Sequence, residues 1–290
     1  MKAAPASSEQ GPLALICGGG SLPLAVADSV TARGRQVLLF PLHGAANAAD
    51  FERRPHHWLY LGQSNKFLRL VRPAGCRDVV FIGSIVRPAL WQIRVDLTTL
   101  RLLPHVLAAF RGGDDHLLSN IARLFEQYGF RVLGAHEVAP EILMPEGTLG
   151  RVQADERDRA DIALGLEYLR ATGAYDVGQA AVVAGKHVLA VEAAEGTDAM
   201  LARVADMRAN GRIHMAAGGG VLVKAPKSGQ DRRFDLPSIG PQTVESVRHA
   251  GLAGIAVAAG STIIAEPDQM IKAADRANIF IIGTPAGTER

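Results

Sequence analysis

Leu13-Ala-Leu-Ile-Cys-Gly-Gly-Gly-Ser-Leu-Pro constrains the fold of this chain more than any other stretch. Five apolar residues without alternation suit a strand buried on both faces, as in a parallel sheet. Three glycines turn the chain, and the apolar run from Leu24 to Ala32 then reads as a helix. Strand, glycine turn, helix opens a βα unit and, in many folds, a nucleotide-binding half. The dinucleotide fingerprint is nevertheless broken. Pro23 stands where its third glycine belongs, and the next strand, Gln36-Val-Leu-Leu-Phe-Pro-Leu, ends without the acid that would hold a ribose. An NAD site is therefore disfavoured. Gly18, Gly19, Gly20 and Ser21 remain candidates to offer backbone N–H groups to an anion. The alternative is a tight turn that needs glycine for backbone reasons alone.

Further along, Ser64 to Leu70 reads as a helix, and strand Asp78-Val-Val-Phe-Ile-Gly ends at Gly83-Ser84, where ligands of open α/β sheets collect. Arg111-Gly-Gly-Asp-Asp leads into a helix carrying Leu117, Leu118, Ile121, Leu124 and Phe125. One of Asp114 and Asp115 is expected to cap it, leaving the other for different work. Phe130-Arg-Val-Leu-Gly closes the first domain as its last strand. Pro140, Pro145, Gly147 and Gly150 then mark a linker. The expected layout is a flexible tail at 1–11, a Rossmann-like βα domain at 12–139, a linker at 140–151 and a catalytic α/β domain at 152–290. The fold class is α/β, with a substrate cleft between the two domains. In the second domain, helix Asp155 to Ala171 precedes two short strands within Gln179 to Glu192 that flank a Gly185-Lys186 turn. Helix Asp198 to Asn210 follows, capped by Thr197 or Asp198 with Glu195 just ahead. The remaining elements are strands at 220–223, 254–257, 262–265 and 279–283 and helices Pro241 to Ala250 and Pro267 to Ala277.

Composition removes several classes. A net charge of +2 gives no field for nucleic acid. Two cysteines far apart, both in apolar runs, make neither a disulfide framework nor a zinc spacing and suit a reducing cytosol. Residues 1–10 lack the apolar core of a signal peptide. The uncharged run Ala250 to Ala265 falls short of the roughly 20 apolar residues a spanning helix needs. No H-E-x-x-H, G-x-S-x-G or phosphate-loop motif is present, and His56-His57 is an isolated pair.

Oxygen chemistry remains. Asp114/Asp115, Glu195/Asp198 and Asp231/Asp235 lie in three glycine-rich loops, the last beside Lys224, Lys227 and Arg233. If Gln230 to Leu236 is extended, Asp231, Arg233 and Asp235 share one face, with the carboxylates about 7 Å apart. Hard carboxylates favour Mg²⁺ or Mn²⁺, and the cations favour a phosphate substrate. The alternative is a solvated edge strand laced with Asp–Arg pairs. On chemical grounds Asp231 and Asp235 are the expected metal ligands or water activators, completed by Glu195 and Asp198. Lys224, Lys227 and Arg233 would offset phosphate charge. Gly18 to Ser21, Asp114, Asp115, Thr197 and Gln230 would meet the substrate.

The motifs Gly-Gly-Gly-Ser-Leu-Pro at 18–23, Gly-Asp-Asp-x-Leu-Leu at 113–118, Ala-His-Glu-Val at 135–138, Glu-Gly-Thr-Asp-Ala-Met-Leu at 195–201 and Lys-x-x-Lys-x-x-Gln-Asp-x-Arg-x-Asp-x-Pro-x-Ile-Gly at 224–240 are specific in their joint order and spacing. Together they resemble the UDP-2,3-diacylglucosamine pyrophosphatases of the LpxI type, from bacterial lipid A synthesis. The resemblance implies an Mg²⁺-dependent hydrolase that yields UMP and 2,3-diacylglucosamine 1-phosphate (lipid X), with water attacking the β-phosphorus. It implies two domains around an acylated UDP-sugar and allows a homodimer. A cytoplasmic protein with peripheral contact at the inner membrane is the matching location. A dinucleotide-binding redox enzyme and a non-catalytic nucleotide-sugar sensor stand as the alternatives.

Overall fold

A computed structural model of the chain describes residues 11–84, 114–175, 177–213, 215, 218–227 and 230–285, with only the backbone at 114–119. The chain divides into two compact units, Met1–Pro140 with Asp231–Asp235, and Glu141–Gln230 with Leu236–Arg290.

In the first unit, β1 (Leu13–Cys17), β2 (Val37–Pro41), β3 (Asp78–Ile82) and β4 (Arg131–Leu133) form a parallel sheet of order β2-β1-β3-β4. All five residues of β1 are buried, as a central parallel strand covered on both faces requires. The chain leaves β1 for β2 on one side and returns to β3 on the other, so the strand order switches at β1. Pro23 sits in the first turn of helix Leu22–Ala32, where its missing N–H costs nothing. Ala14, Ile16, Phe40, Phe67, Val79 and Phe130 build a core in which Phe67 meets Phe40 and Phe125 edge-on at 5.0 and 5.4 Å. Asp78 opens β3 almost wholly buried. It accepts from Arg131 Nε at 2.7 Å and Nη2 at 3.0 Å, and from Arg35 Nη2. Burial pushes its carboxyl up, but the two guanidinium groups outweigh that and hold it below the usual carboxylate range.

The second unit carries β5 (Gly147–Leu149), β6 (Ala180–Ala184), β7 (His187–Val191), β8 (Val221–Lys224), β9 (Ser238–Ile239), β10 (Gly254–Ala258), β11 (Ile263–Ile264) and β12 (Phe280–Thr284). Six of them make a mixed sheet of order β5-β12-β10-β8-β6-β7, while β9 and β11 pair separately in parallel. β8, β10 and β12 are parallel; β5 and β6 join them antiparallel. Alternation sorts the side chains into two cores. Leu222, Ile255 and Val257 pack with Met200, Leu201, Val244 and Met270 from helices Thr197–Ala209, Pro241–Ala250 and Pro267–Ala277. Val221, Val223 and Ala256 pack with Ile162 and Leu169 of helix Glu156–Thr172 on the opposite face. The unit is thus helix, sheet, helix, and truncating a buried residue such as Leu222 to alanine costs about 2–5 kcal/mol.

The α/β class expected from the sequence is what the two sheets display. The stretch read as a linker contains β5, which pairs with β12. At the expected Gly185-Lys186 turn both residues take positive φ (56° and 61°), the two-residue reversal that fits strand twist. Asp161, 4 % exposed, secures this turn by accepting the N–H of Gly185 at 3.0 Å and of Lys186 at 2.6 Å. Among the described residues no helix is long and apolar enough to cross a membrane.

Candidate active site

β8 delivers Lys224 to the carboxyl end of a central strand, 7 % exposed. A buried ammonium needs partners, and Lys224 Nζ donates to Thr197 Oγ1 at 3.0 Å and to the Ser238 carbonyl at 3.1 Å. Thr197 Oγ1 donates onward to Glu192 Oε1 at 2.9 Å, so the hydroxyl links cation to carboxylate. Neither Thr197 nor Asp198 caps its helix, contrary to the sequence reading. Gly196 holds the cap position at φ 82°, a conformation that favours glycine, and both residues fall in the first turn. Asp198 Oδ1 accepts from Ser246 Oγ at 3.0 Å, and Glu195 Oε1 from Arg203 Nη2 at 2.7 Å. Beside Ser238 lies a cavity of about 420 Å³, lined also by Gly240, Gln242, Thr243, Ala265 and Glu266. Helices Pro241–Ala250 and Pro267–Ala277 both begin at its wall.

Residues 231–235 are a turn, which corrects the extended reading. The Asp231 carbonyl accepts the N–H groups of Phe234 at 3.0 Å and Asp235 at 3.2 Å. Asp231 Oδ1 takes the Arg233 N–H at 3.1 Å, the local bond by which aspartate competes with strand formation. No alternating face therefore aligns Asp231, Arg233 and Asp235. The turn instead clasps Arg233. Its Nε and Nη2 reach Asp231 Oδ1 at 3.0 Å and Oδ2 at 2.7 Å, and its Nη1 reaches Glu126 at 2.9 Å. Phe234 packs on Phe81 of β3 at 5.7 Å, which seats the segment in the first unit. The Arg233 guanidinium holds the Asp231 carboxyl well below the usual range, against the opposing effect of burial. In the second unit, Gln230 Oε1 accepts the Lys227 N–H at 3.2 Å.

The glycine turn after β1 has a structural cause. Gly18 N–H donates to Ile82 O at 2.8 Å, and Gly19 and Ser84 exchange backbone bonds of 2.8 and 3.0 Å. A Cβ on Gly83 would lie 2.7 Å from Gly19 O, and one on Gly19 would lie 2.8 Å from Ala45 O. Two chain reversals cross here at backbone distance. The Gly18 and Gly19 amides are spent on that crossing, so donors to an anion would have to come from Gly20 onward. The side chains of Asp114 and Asp115 lie outside the described residues.

The sequence singled out Lys224, Thr197, Asp231 and Arg233, and the structure ties Lys224 to Thr197 and Asp231 to Arg233. It missed Glu192, Glu126 and the Ser238 carbonyl. Nothing marked either glutamate: Glu126 meets Arg233, 107 positions on, and Glu192 reaches Lys224 only through the Thr197 hydroxyl. Among the described residues no three histidine, cysteine, aspartate or glutamate side chains gather as a metal cage. Mg²⁺ in phosphoryl-transfer sites commonly needs only one or two carboxylates, because substrate phosphates and waters supply the rest. Of the expected ligands, Asp231, Glu195 and Asp198 each already accept a hydrogen bond, from Arg233, Arg203 and Ser246 respectively.

Residues 12–142 match the LpxI N-terminal domain and residues 145–282 the LpxI C-terminal domain. Over 271 residues the chain is 41 % identical to a protein of Caulobacter vibrioides named UDP-2,3-diacylglucosamine pyrophosphatase LpxI, covering 93 % of this chain and 96 % of that one. Two domain matches in sequence order, together with identity along nearly the full length of both proteins, place this chain in the LpxI family.

Proposed function

We propose that this chain, a pyrophosphate-hydrolysing enzyme of the lipid A pathway, cleaves UDP-2,3-diacylglucosamine to UMP and 2,3-diacylglucosamine 1-phosphate with Mg²⁺ as cofactor. The observation that carries the reading is the 41 % identity with the Caulobacter protein along 93 % of the chain. The side chains suit that chemistry. A diphosphate brings negative charge that Lys224, Lys227 and Arg233 would offset, and charge offset is the main task in phosphoryl transfer. Arg233 carries five N–H donors, and three of them bind Asp231 and Glu126; this fixes the plane in which the remaining two are presented. Glu192 and Thr197 hold the Lys224 ammonium in the same way.

Asp231 and Asp235 are the proposed carboxylates for Mg²⁺, with Glu195 and Asp198 as further candidates. Bound there, the metal would polarise a phosphoryl oxygen and lower the pKa of a coordinated water. Attack at the β-phosphorus forms a bond from the water oxygen to that phosphorus and breaks its bond to the bridging oxygen, which leaves with UMP. In this reading both units engage the substrate, the first with a Rossmann-like sheet whose order switches at β1. Contact with a membrane surface follows from the acyl chains alone.

The test is hydrolysis of the lipid substrate by folded Asp231→Ala and Asp235→Ala variants, with and without a Mg²⁺ chelator. Turnover near the parent's by both variants would remove the turn from the site, and indifference to the chelator would remove the metal. Reaction in ¹⁸O water is expected to label 2,3-diacylglucosamine 1-phosphate; label in UMP would move the attack to the other phosphorus.

A further inference from the structure

His136 lies in the first unit, just past the carboxyl end of β4, in the short helix Ala135–Val138. Gly134 precedes it and donates its N–H to Glu137 Oε1 at 2.7 Å. At φ −75° any residue could stand at position 134, so space is what selects glycine there. A Cβ would lie 2.6 Å from His136 Nδ1, against His136 Cε1, and 3.2 Å from the Cα of Arg233. The imidazole and the 231–235 turn therefore both border the space where a side chain at position 134 would stand. His136 Nδ1 is buried and has no hydrogen-bond partner.

An orphaned buried N–H is rarer and costlier than an orphaned acceptor. On that ground the lone pair is assigned to Nδ1 and the ring proton to Nε2. Burial first, and then the positive charge of Arg232, hold the ring below the ordinary histidine pKa, against the opposing effect of Glu137. The imidazole is neutral at pH 7. The ring is half-buried with Nδ1 as its enclosed atom, so the Nε2–H edge is the one that meets solvent.

We propose that His136 binds substrate as a neutral donor, its Nε2–H directed to an oxygen of the diphosphate beside Arg233. This rests on the reading that the 231–235 turn meets the diphosphate. A neutral donor next to Arg232 and Arg233 adds a hydrogen bond to an anion without adding to the repulsion between cations. With its lone pair enclosed on Nδ1, the ring serves as a donor and not as the base that takes the proton of water.

The experiment compares His136→Ala, His136→Gln and His136→Asn. Glutamine can place an amide donor near the position of Nε2, whereas asparagine reaches only that of Nδ1. Loss of a hydrogen bond to a charged group predicts that His136→Ala lowers kcat/KM about 10- to 100-fold. His136→Gln should recover most of this and His136→Asn little, with thermal midpoints close to the parent's. In the parent, long-range ¹H–¹⁵N spectra should show the Nε2–H tautomer at pH 7, and adding UDP should shift that proton. Equal behaviour of the glutamine and asparagine variants, the Nδ1–H tautomer, or no shift with UDP would each overturn the proposal; the spectra decide it even if a variant fails to fold. If Asp231→Ala is inactive while His136→Ala is normal, this inference fails alone. If both turn over normally, the placement of the diphosphate fails with it.

Discussion

Replacing Asp231 with asparagine removes one charge while keeping the shape of the side chain and an oxygen for the turn. The pair is open to water, with the Arg233 and Asp231 side chains 31 % and 26 % exposed. Glu126, which lies 2.9 Å from Arg233, is left in place by the substitution. An ion pair so exposed contributes about 1 kcal/mol or less, so stability should fall by no more than that. Activity should respond on another scale. Removing a group that stabilises transition-state charge costs about 10²–10³ in kcat, or roughly 2.7–4 kcal/mol of barrier. The assay is initial-rate release of UMP from UDP-2,3-diacylglucosamine, with a thermal melt as control. The pH dependence separates two roles. Hydrogen bonds from Arg233 lower the Asp231 pKa, so the carboxylate is ionised at every pH above the ordinary aspartate value of about 4. Its contribution is complete there and is lost only as pH falls further. So weak a base suits metal binding or the holding of Arg233 better than proton abstraction. A kcat for Asp231→Asn within about threefold of the parent's would refute a catalytic role. An acid limb near pH 6 that vanishes in this variant would refute the assignment as a carboxylate without a proton to trade.

Lys224→Met should lower kcat/KM about 100-fold. It should also cost about 1–3 kcal/mol in urea unfolding, because the Ser238 carbonyl and Thr197 lose their donor; unchanged stability would contradict the buried contacts. Asp78→Ala should destabilise by about 3–5 kcal/mol, since it leaves Arg35, 9 % exposed, without its carboxylate, whereas Arg131→Ala, at 66 %, should cost about 1 kcal/mol or less. The Asp78 pKa is lowered, so its contribution is intact above pH about 4 and fades as acid protonates it. Melts at pH 7 and pH 3 should show the gap between parent and Asp78→Ala narrowing. Burial pushes the thiols of Cys17 and Cys76 up to about 12 and about 11. Native enzyme at pH 8 should therefore resist iodoacetamide and keep its activity, and both thiols should react after unfolding; rapid inactivation by the reagent would show that one of them is exposed.

The strands were legible wherever both faces are covered. Leu13–Cys17 reads correctly because a buried parallel strand has no polar side and its apolar run is continuous. Helix Pro241–Ala250 was legible from the proline at its first turn and a glycine at each end. The cap at 196 was misread because Thr197 and Asp198 are good capping residues, yet the preceding glycine takes φ 82° and ends the approach one step earlier. Lys224 stood out as a base in a loop; its burial did not, because that depends on a carbonyl and on Glu192, and a carbonyl has no residue identity to read.

The 231–235 segment shows most plainly where local reading ends. Charged residues at every second position, Asp231, Arg233 and Asp235, are consistent with an exposed strand, and no glycine or proline between Gln230 and Leu236 forbids it. Two forces outside that pattern prevail. Asp231 bonds its own chain two residues on, which bends the backbone, and Phe234 finds an aromatic partner in Phe81. Arg233 then closes on Glu126, 107 positions earlier. These contacts place five residues in the first unit while both flanks stay in the second. A boundary drawn near 140–151 divides the sequence but not the contacts, so residues 141–290 expressed alone would carry Asp231 and Arg233 without Glu126 or Phe81. If those contacts set the Arg233 plane, Glu126→Gln in the full chain should weaken substrate binding several-fold through Arg233, and it should do nothing further once Arg233→Gln is in place. Additive effects of the two substitutions would show that Glu126 acts elsewhere.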